Sequence, residues 1–154
     1  MDEQKLVEKL RLIESLHSGA ATPGERLAAE GARERIRERL RGIRSRDPEV
    51  EFRFSLQDPW SRKLFLALAR RYDLKPYRLR GQRHATVMLR VPKSFVDGTL
   101  WPEFLELSRT LRTYLDEITK KVIREGIHGD SSEAEVRNEP VQIGLDDSEN
   151  AIQE

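Results

Sequence analysis

The chain has 154 residues, room for one core, and its apolar fraction of 37% is lean beside a charged fraction of 36%, where ~25% is usual for a globular domain. Cysteine is absent, which excludes disulfide staples and thiolate metal sites and points to a cytoplasmic setting. The net charge of +1 hides a contrast: residues 57–93 hold ten basic and two acidic side chains, whereas residues 129–154 hold one and eight.

The first residues, Met1 to Lys5, are charged and do not read as the apolar core of a signal peptide. The longest apolar run, Leu64 to Ala69, is six residues, far short of the ~20 that span a bilayer, so no membrane partner is expected. Leu6, Leu10, Ile13 and Leu16 recur at helical spacing and predict a helix over 3–17. Thr22-Pro23-Gly24-Glu25 supplies an N-cap, a proline at the first helical position and a glutamate three residues after the cap. A second helix from Pro23 to about Ile43 follows, its buried row being Ala29, Ala32, Ile36, Leu40 and Ile43. The short connection makes the pair an antiparallel hairpin over residues 1–46. Arg33, Arg35, Arg37, Arg39 and Arg41 alternate there with Glu34 and Glu38, the composition of a solvated face laced with ion pairs.

Val50, Phe52, Phe54 and Leu56 alternate with polar residues as a half-buried strand does. Asp58-Pro59 then repeats the cap-and-proline signal, and Trp60, Leu64, Phe65, Leu68, Ala69 and Tyr72 give a third helix an apolar face. Lys75–Arg80 and Ala85–Val91 read as two strands joined through Gly81-Gln82-Arg83. Tyr77, Leu79, Val87, Leu89 and Val91 are expected to face inward, with Arg78, Arg80, Thr86, Met88 and Arg90 on the outer face. A short helical turn to Val96 is followed by a long amphipathic helix from Thr99 to Glu125, carried by Phe104, Leu107, Leu111, Leu115, Ile118 and Val122. The order is α+β: a helical hairpin, then a β-α-β-β-α unit over 49–127 packed with it as one domain, then an acidic tail over 128–154 expected to be flexible. The unit matches most of a split β-α-β, ferredoxin-like plan, with Pro140 to Leu145 available for the last strand.

Catalytic signals are absent. His17, His84 and His128 stand in three separate segments without metal-ligand spacing. Asp58 and Asp97 precede helical patterns and read as caps, and no phosphate-binding glycine motif or nucleophile elbow occurs. Trp60 and Trp101 lie in apolar rows and read as core anchors. These features point to a non-enzymatic protein with no cofactor and no metal.

The remaining constellation is basic. Arg78, Arg80, Arg83 and His84 surround the hairpin loop, Arg90 and Lys75 lie along its strands, and Arg62, Lys63, Arg70 and Arg71 come from the third helix. Guanidinium groups at this density, without compensating acids, are the means by which proteins neutralise phosphates. The expected polyanion-binding set is therefore Arg62, Arg70, Arg71, Lys75, Arg78, Arg80, Arg83 and Arg90, with nucleic acid the leading partner. The alternatives are a solubilising face, or one covered by the tail or by the helical hairpin. A protein partner or a second copy, engaged through the long helix, is the competing expectation. In the tail, Val141, Ile143 and Leu145 alternate as a segment that adds to a partner's sheet edge does.

Residues Lys9 to Leu16 followed by Thr22 to Ala29 resemble a bacterial and phage domain family of unknown function, in which a lysine- and leucine-rich helix leads through a threonine turn into an alanine-rich helix. The resemblance extends to Pro59-Trp60-Ser61-Arg62-Lys63-Leu64 and a β-hairpin, implies a helical hairpin joined to that unit, and brings no established activity to carry over.

Overall fold

The structure, a computed structural model, describes residues 3–141. Helices α1 (Glu3–Ser18) and α2 (Pro23–Arg44) form the hairpin, and their turn closes as its chemistry requires. Thr22 Oγ1 accepts the Glu25 N–H at 3.2 Å, while the Glu25 carboxylate accepts the Ala21 N–H at 3.1 Å. Leu6, Val7 and Leu10 of α1 and Ile36 and Leu40 of α2 are buried in the common core.

Strand β1 (Glu49–Ser55) pairs antiparallel with β2 (Thr86–Pro92), placing Phe52 opposite Leu89 and Phe54 opposite Val87. Among the described residues the other edge of β2 is met by Tyr77 alone, whose N–H and C=O exchange bonds with Met88 at 3.0 and 2.8 Å. The strand expected over Lys75–Arg80 is thus reduced to one bridge. The Leu79 N–H, two residues on from Tyr77 and the next donor that would face β2, is taken by the Gln82 side chain at 3.0 Å. Leu79 is consequently exposed rather than inward, and Met88, expected outside, is buried with its sulfur accepting from Gln82 Nε2. Even so, β2 lies between β1 and Tyr77, the central place that a split β-α-β unit gives its third strand.

Helix α3 (Pro59–Arg71) starts as expected, with the Asp58 carboxylate accepting the Ser61 N–H at 2.7 Å. Its buried face is Ser61, Phe65, Leu68 and Ala69, continued by Tyr72. Trp60 is no core anchor: one residue from Ser61 is a rotation of about 100° on a helix, and the ring is 54% exposed. The helix ends in a Schellman turn, Leu74 N–H bonding Ala69 O at 3.0 Å and Asp73 N–H bonding Arg70 O at 3.1 Å, with Asp73 at φ 58°.

After β2 the chain stays helical from Lys93 onward, through α4 (Lys93–Phe95) and a π turn (Val96–Leu100) into α5 (Trp101–Gly126). Pro102 has no N–H to return to the preceding turn, and a widened turn relieves that missing bond. Asp97 therefore caps nothing, lying inside the helical run where it pairs with Lys93 at 3.6 Å. Phe54, Phe65, Trp101 and Phe104 form one aromatic cluster with centroid separations of 4.5 to 5.7 Å, joining β1, α3 and α5.

The described chain divides into two compact units after Leu115, within α5. In the second, Asp116 pairs with Lys120 at 3.0 Å, and beyond Gly126 the described residues form no helix or strand. Val141 is exposed, and Ile143 and Leu145 lie outside the described residues. No helix among the described residues is long and apolar enough to cross a membrane.

Candidate functional site

Three arginines of α2, one turn apart, are committed to the end of α3. Arg37 Nε donates to Arg71 O at 2.9 Å, Arg44 Nη1 to Tyr72 O at 2.9 Å, and Arg41 pairs with Asp73 at 3.0 Å. Helix C-termini leave carbonyls without partners and carry a partial negative charge, so guanidinium donors are suited to both deficits. The arginine face of α2 is in this part a structural clasp, and Arg44 also lies 5.6 Å from the Phe95 ring centroid.

A second cluster surrounds Glu103, whose side chain is 3% exposed in the first turn of α5. Arg11 of α1 reaches its Oε1 at 3.1 Å, Arg71 bonds the same oxygen, and the Tyr72 hydroxyl donates to Oε2. Arg71 also holds Glu14 of α1 at 2.8 Å. Burial works to lower the Arg71 pKa, and Glu14 and Glu103 outweigh it and raise it. Burial first, and then the bond to Glu103, push the Tyr72 phenol well above the ordinary tyrosine range. The chemistry of the cluster is that of a keystone joining α1, α3 and α5: its acids and bases neutralise one another.

Arg71 therefore does not join the basic surface. Arg70 is exposed, but on the last turn of α3, where its carbonyl accepts from Arg37. Lys75 and Arg90 line a recess with Arg44, Tyr77, Glu49 and Asp73, and Arg90 stands opposite Glu51 in the strand register, so acids accompany them.

Arg62, Arg78, Arg80 and Arg83 remain. Arg62 Nη1 donates to His84 O at 2.9 Å, tying the first half of α3 to the loop. Arg78 Nη2 donates to Arg83 O at 2.8 Å, with longer bonds from its guanidinium to Gln82 O and Thr86 O at 3.4 Å and a contact to His84 Nδ1. Backbone carbonyls fix these two guanidiniums without cancelling their charge. Arg80 and Arg83 flank Gly81-Gln82 in the same loop, where Gly81 takes φ 85°, and both are exposed. Among the described residues none of these four makes a salt bridge. Nearby, the Asp58 carboxyl is held below the usual carboxylate range by its bonds to Ser61 and is occupied as a cap. Glu51 accepts the Tyr77 hydroxyl, a bond that raises the phenol's pKa.

The recess between Arg62 and Arg78 measures about 200 Å³ and is walled by Leu66, Pro76, Tyr77 and Val87. Among the described residues no carboxylate lines it. The Glu103 cluster as a whole has no local signature in the sequence, its members being drawn from three helices. Its one sign was an acid four residues before Leu107, on the face that turns inward.

Comparison with known proteins gives no matching family model, no matching curated protein and no matching solved structure.

Proposed function

We propose that this is a non-enzymatic binding protein that contacts nucleic acid, or a polyanion of similar charge, through the loop at Arg78–His84 and the first half of α3. The observation that carries the reading is that Arg62 and Arg78 are pinned by backbone carbonyls with no carboxylate partner among the described residues, beside exposed Arg80 and Arg83. A cation fixed in this way is ordered before an anion arrives, so binding costs it little side-chain freedom. Lys75, Arg70 and Arg90 stand outside this cluster and act as peripheral contacts; Arg71 is left out.

Fluorescence anisotropy with mixed DNA and RNA probes at low salt tests it. The double variant Arg80→Glu, Arg83→Glu changes two exposed side chains and leaves in place the Arg83 carbonyl that Arg78 uses. It is expected to lose at least tenfold in affinity and to reduce the dependence of log K on log salt by roughly 1.4–1.8, as two lost phosphate contacts require. Absence of binding by the native chain, or an unchanged affinity in the variant, refutes the reading.

A second reading is self-association through α5, favoured by Ile118 and Val122, one turn apart and 51% and 61% exposed. Sedimentation of the native chain and of Ile118→Glu decides it: a concentration-independent monomer in both removes it.

A further inference from the structure

We infer that the polyanion is single-stranded nucleic acid, and that one of its bases enters the recess walled by Leu66, Pro76, Tyr77 and Val87 between the guanidiniums of Arg62 and Arg78. This rests on the polyanion reading above and names its ligand.

The recess combines two features that a simple charge-binding surface does not need. Four of its six lining residues present apolar or aromatic surface, and the other two are arginines. Such a pairing matches a ligand that joins a flat, weakly polar ring to a negative group. At about 200 Å³ the recess is smaller than the ~300–1,000 Å³ of pockets that enclose a whole small ligand, so it accepts a fragment, one planar ring, while the rest of the polymer lies outside.

The walls are held in place. Tyr77 is fixed by its two main-chain bonds to Met88 and by its hydroxyl bond to Glu51, and Val87 belongs to β2. Arg62 uses one N–H on His84 O and keeps the rest of its five donors for phosphate oxygens. Arg78 is bonded at all three nitrogens and offers chiefly its charge and its planar face, on which bases stack.

A duplex keeps its base faces inside the stack and has none to give to this recess. Inorganic polyphosphate and sulfated polysaccharides carry charge but no aromatic face. A single strand has both unstacked bases and phosphates.

The test is equilibrium anisotropy with the full chain and four labelled probes of equal length: oligo(dT), oligo(U), an abasic deoxyribose-phosphate strand of equal charge, and a DNA duplex. Inorganic polyphosphate serves as competitor. Oligo(dT) and oligo(U) are expected to bind at least about fivefold more tightly than the abasic strand, the low end of what stacking one base contributes. Leu66→Gln, which makes one apolar wall polar without altering charge or adding a ring, is expected to bring oligo(dT) down toward the abasic affinity and to leave the abasic affinity unchanged. Equal binding of oligo(dT) and the abasic strand overturns this inference while leaving the polyanion reading intact, and it needs no variant to fold. Tighter binding of the duplex than of either single strand, or polyphosphate competing as well as oligo(dT) at equal charge, overturns it likewise. Failure of every probe to bind overturns the polyanion reading itself.

Discussion

Arg71 and Glu103 meet where α3 ends and α5 begins, and the carboxylate that receives the guanidinium is 3% exposed. Arg11 and the Tyr72 hydroxyl complete its shell, so that each carboxylate oxygen has a partner from another element. A buried charge is tolerated when it is both paired and hydrogen-bonded, and is costly when one partner is removed.

Glu103→Ala removes the acceptor and leaves Arg71 with Glu14 alone. Arg71 and Arg11 retain access to water, their side chains being 24% and 42% exposed, so the loss is expected at the low end of the range for broken buried pairs, about 3 kcal/mol. Urea denaturation should show a lower midpoint with an unchanged slope. Glu8→Ala, on the exposed side of α1, is expected to stay within about 0.5 kcal/mol of the native chain.

Tyr72→Phe deletes one donor and keeps the packing against Phe95, whose ring centroid is 5.1 Å away. Glu103 Oε2 is then left without its donor, at a cost of about 1–3 kcal/mol at neutral pH. The pH dependence has a definite sign. The phenol's pKa is raised in the folded state above the ~10 of the unfolded chain, so its contribution is fully present below pH 10 and is lost as pH rises above it. Tyr72 is expected to give no tyrosinate absorbance while the chain is folded. Stability should fall less steeply above pH 10 in Tyr72→Phe than in the native chain, which paired alkaline denaturation curves measure.

The elements that local chemistry determines were legible in the sequence. The two proline-headed starts at Thr22 and Asp58 depend on residues within four positions of each other, and both caps form as their spacing predicts. The α+β order and the two strands at Phe54 and Val87 follow from alternation, but their pairing with each other does not, since the sequence joins Ala85–Val91 to Lys75–Arg80 instead. What pattern reading could not supply is the competition for hydrogen bonds across the fold. Lys75–Arg80 alternates like a strand, but the Gln82 side chain takes the Leu79 N–H that would extend its ladder. Arg71 carries the same charge as Arg80, yet Glu14 and Glu103, 57 and 32 residues away, claim it. Of the eight basic residues expected to form one surface, Arg62, Arg78, Arg80 and Arg83 share the loop region, because the carbonyls of 82–86 gather two of them there.

Asp58→Ala removes the cap of α3 and is expected to cost ~1 kcal/mol. The Asp58 carboxyl is held below its usual range by the Ser61 bonds, so its contribution is present above pH ~4 and fades as pH falls through the lower folded value. Native and variant midpoints should therefore converge in acid. Asp58→Asn, which keeps an acceptor oxygen without the charge, should recover most of the stability at neutral pH and remove the pH dependence.

Arg44→Ala tests the clasp at the other end of α3. The change removes the bond to the Tyr72 carbonyl and the cation over the Phe95 ring, each worth about 0.5–1.5 kcal/mol, so a loss of roughly 1–2 kcal/mol is expected. Arg44→Lys keeps the charge near a helix C-terminus but not the planar fork, and should recover only part of that loss. Arg35→Ala, an exposed arginine on the same helix, is the control and should change stability by less than about 0.5 kcal/mol. Hydrogen exchange sharpens the result: if Arg44 clasps α3, the amides of Tyr72, Asp73 and Leu74, which close the Schellman turn, lose protection in Arg44→Ala while the amides of β2 do not. Equal loss in both would mean that Arg44 acts on the whole core rather than on the end of the helix.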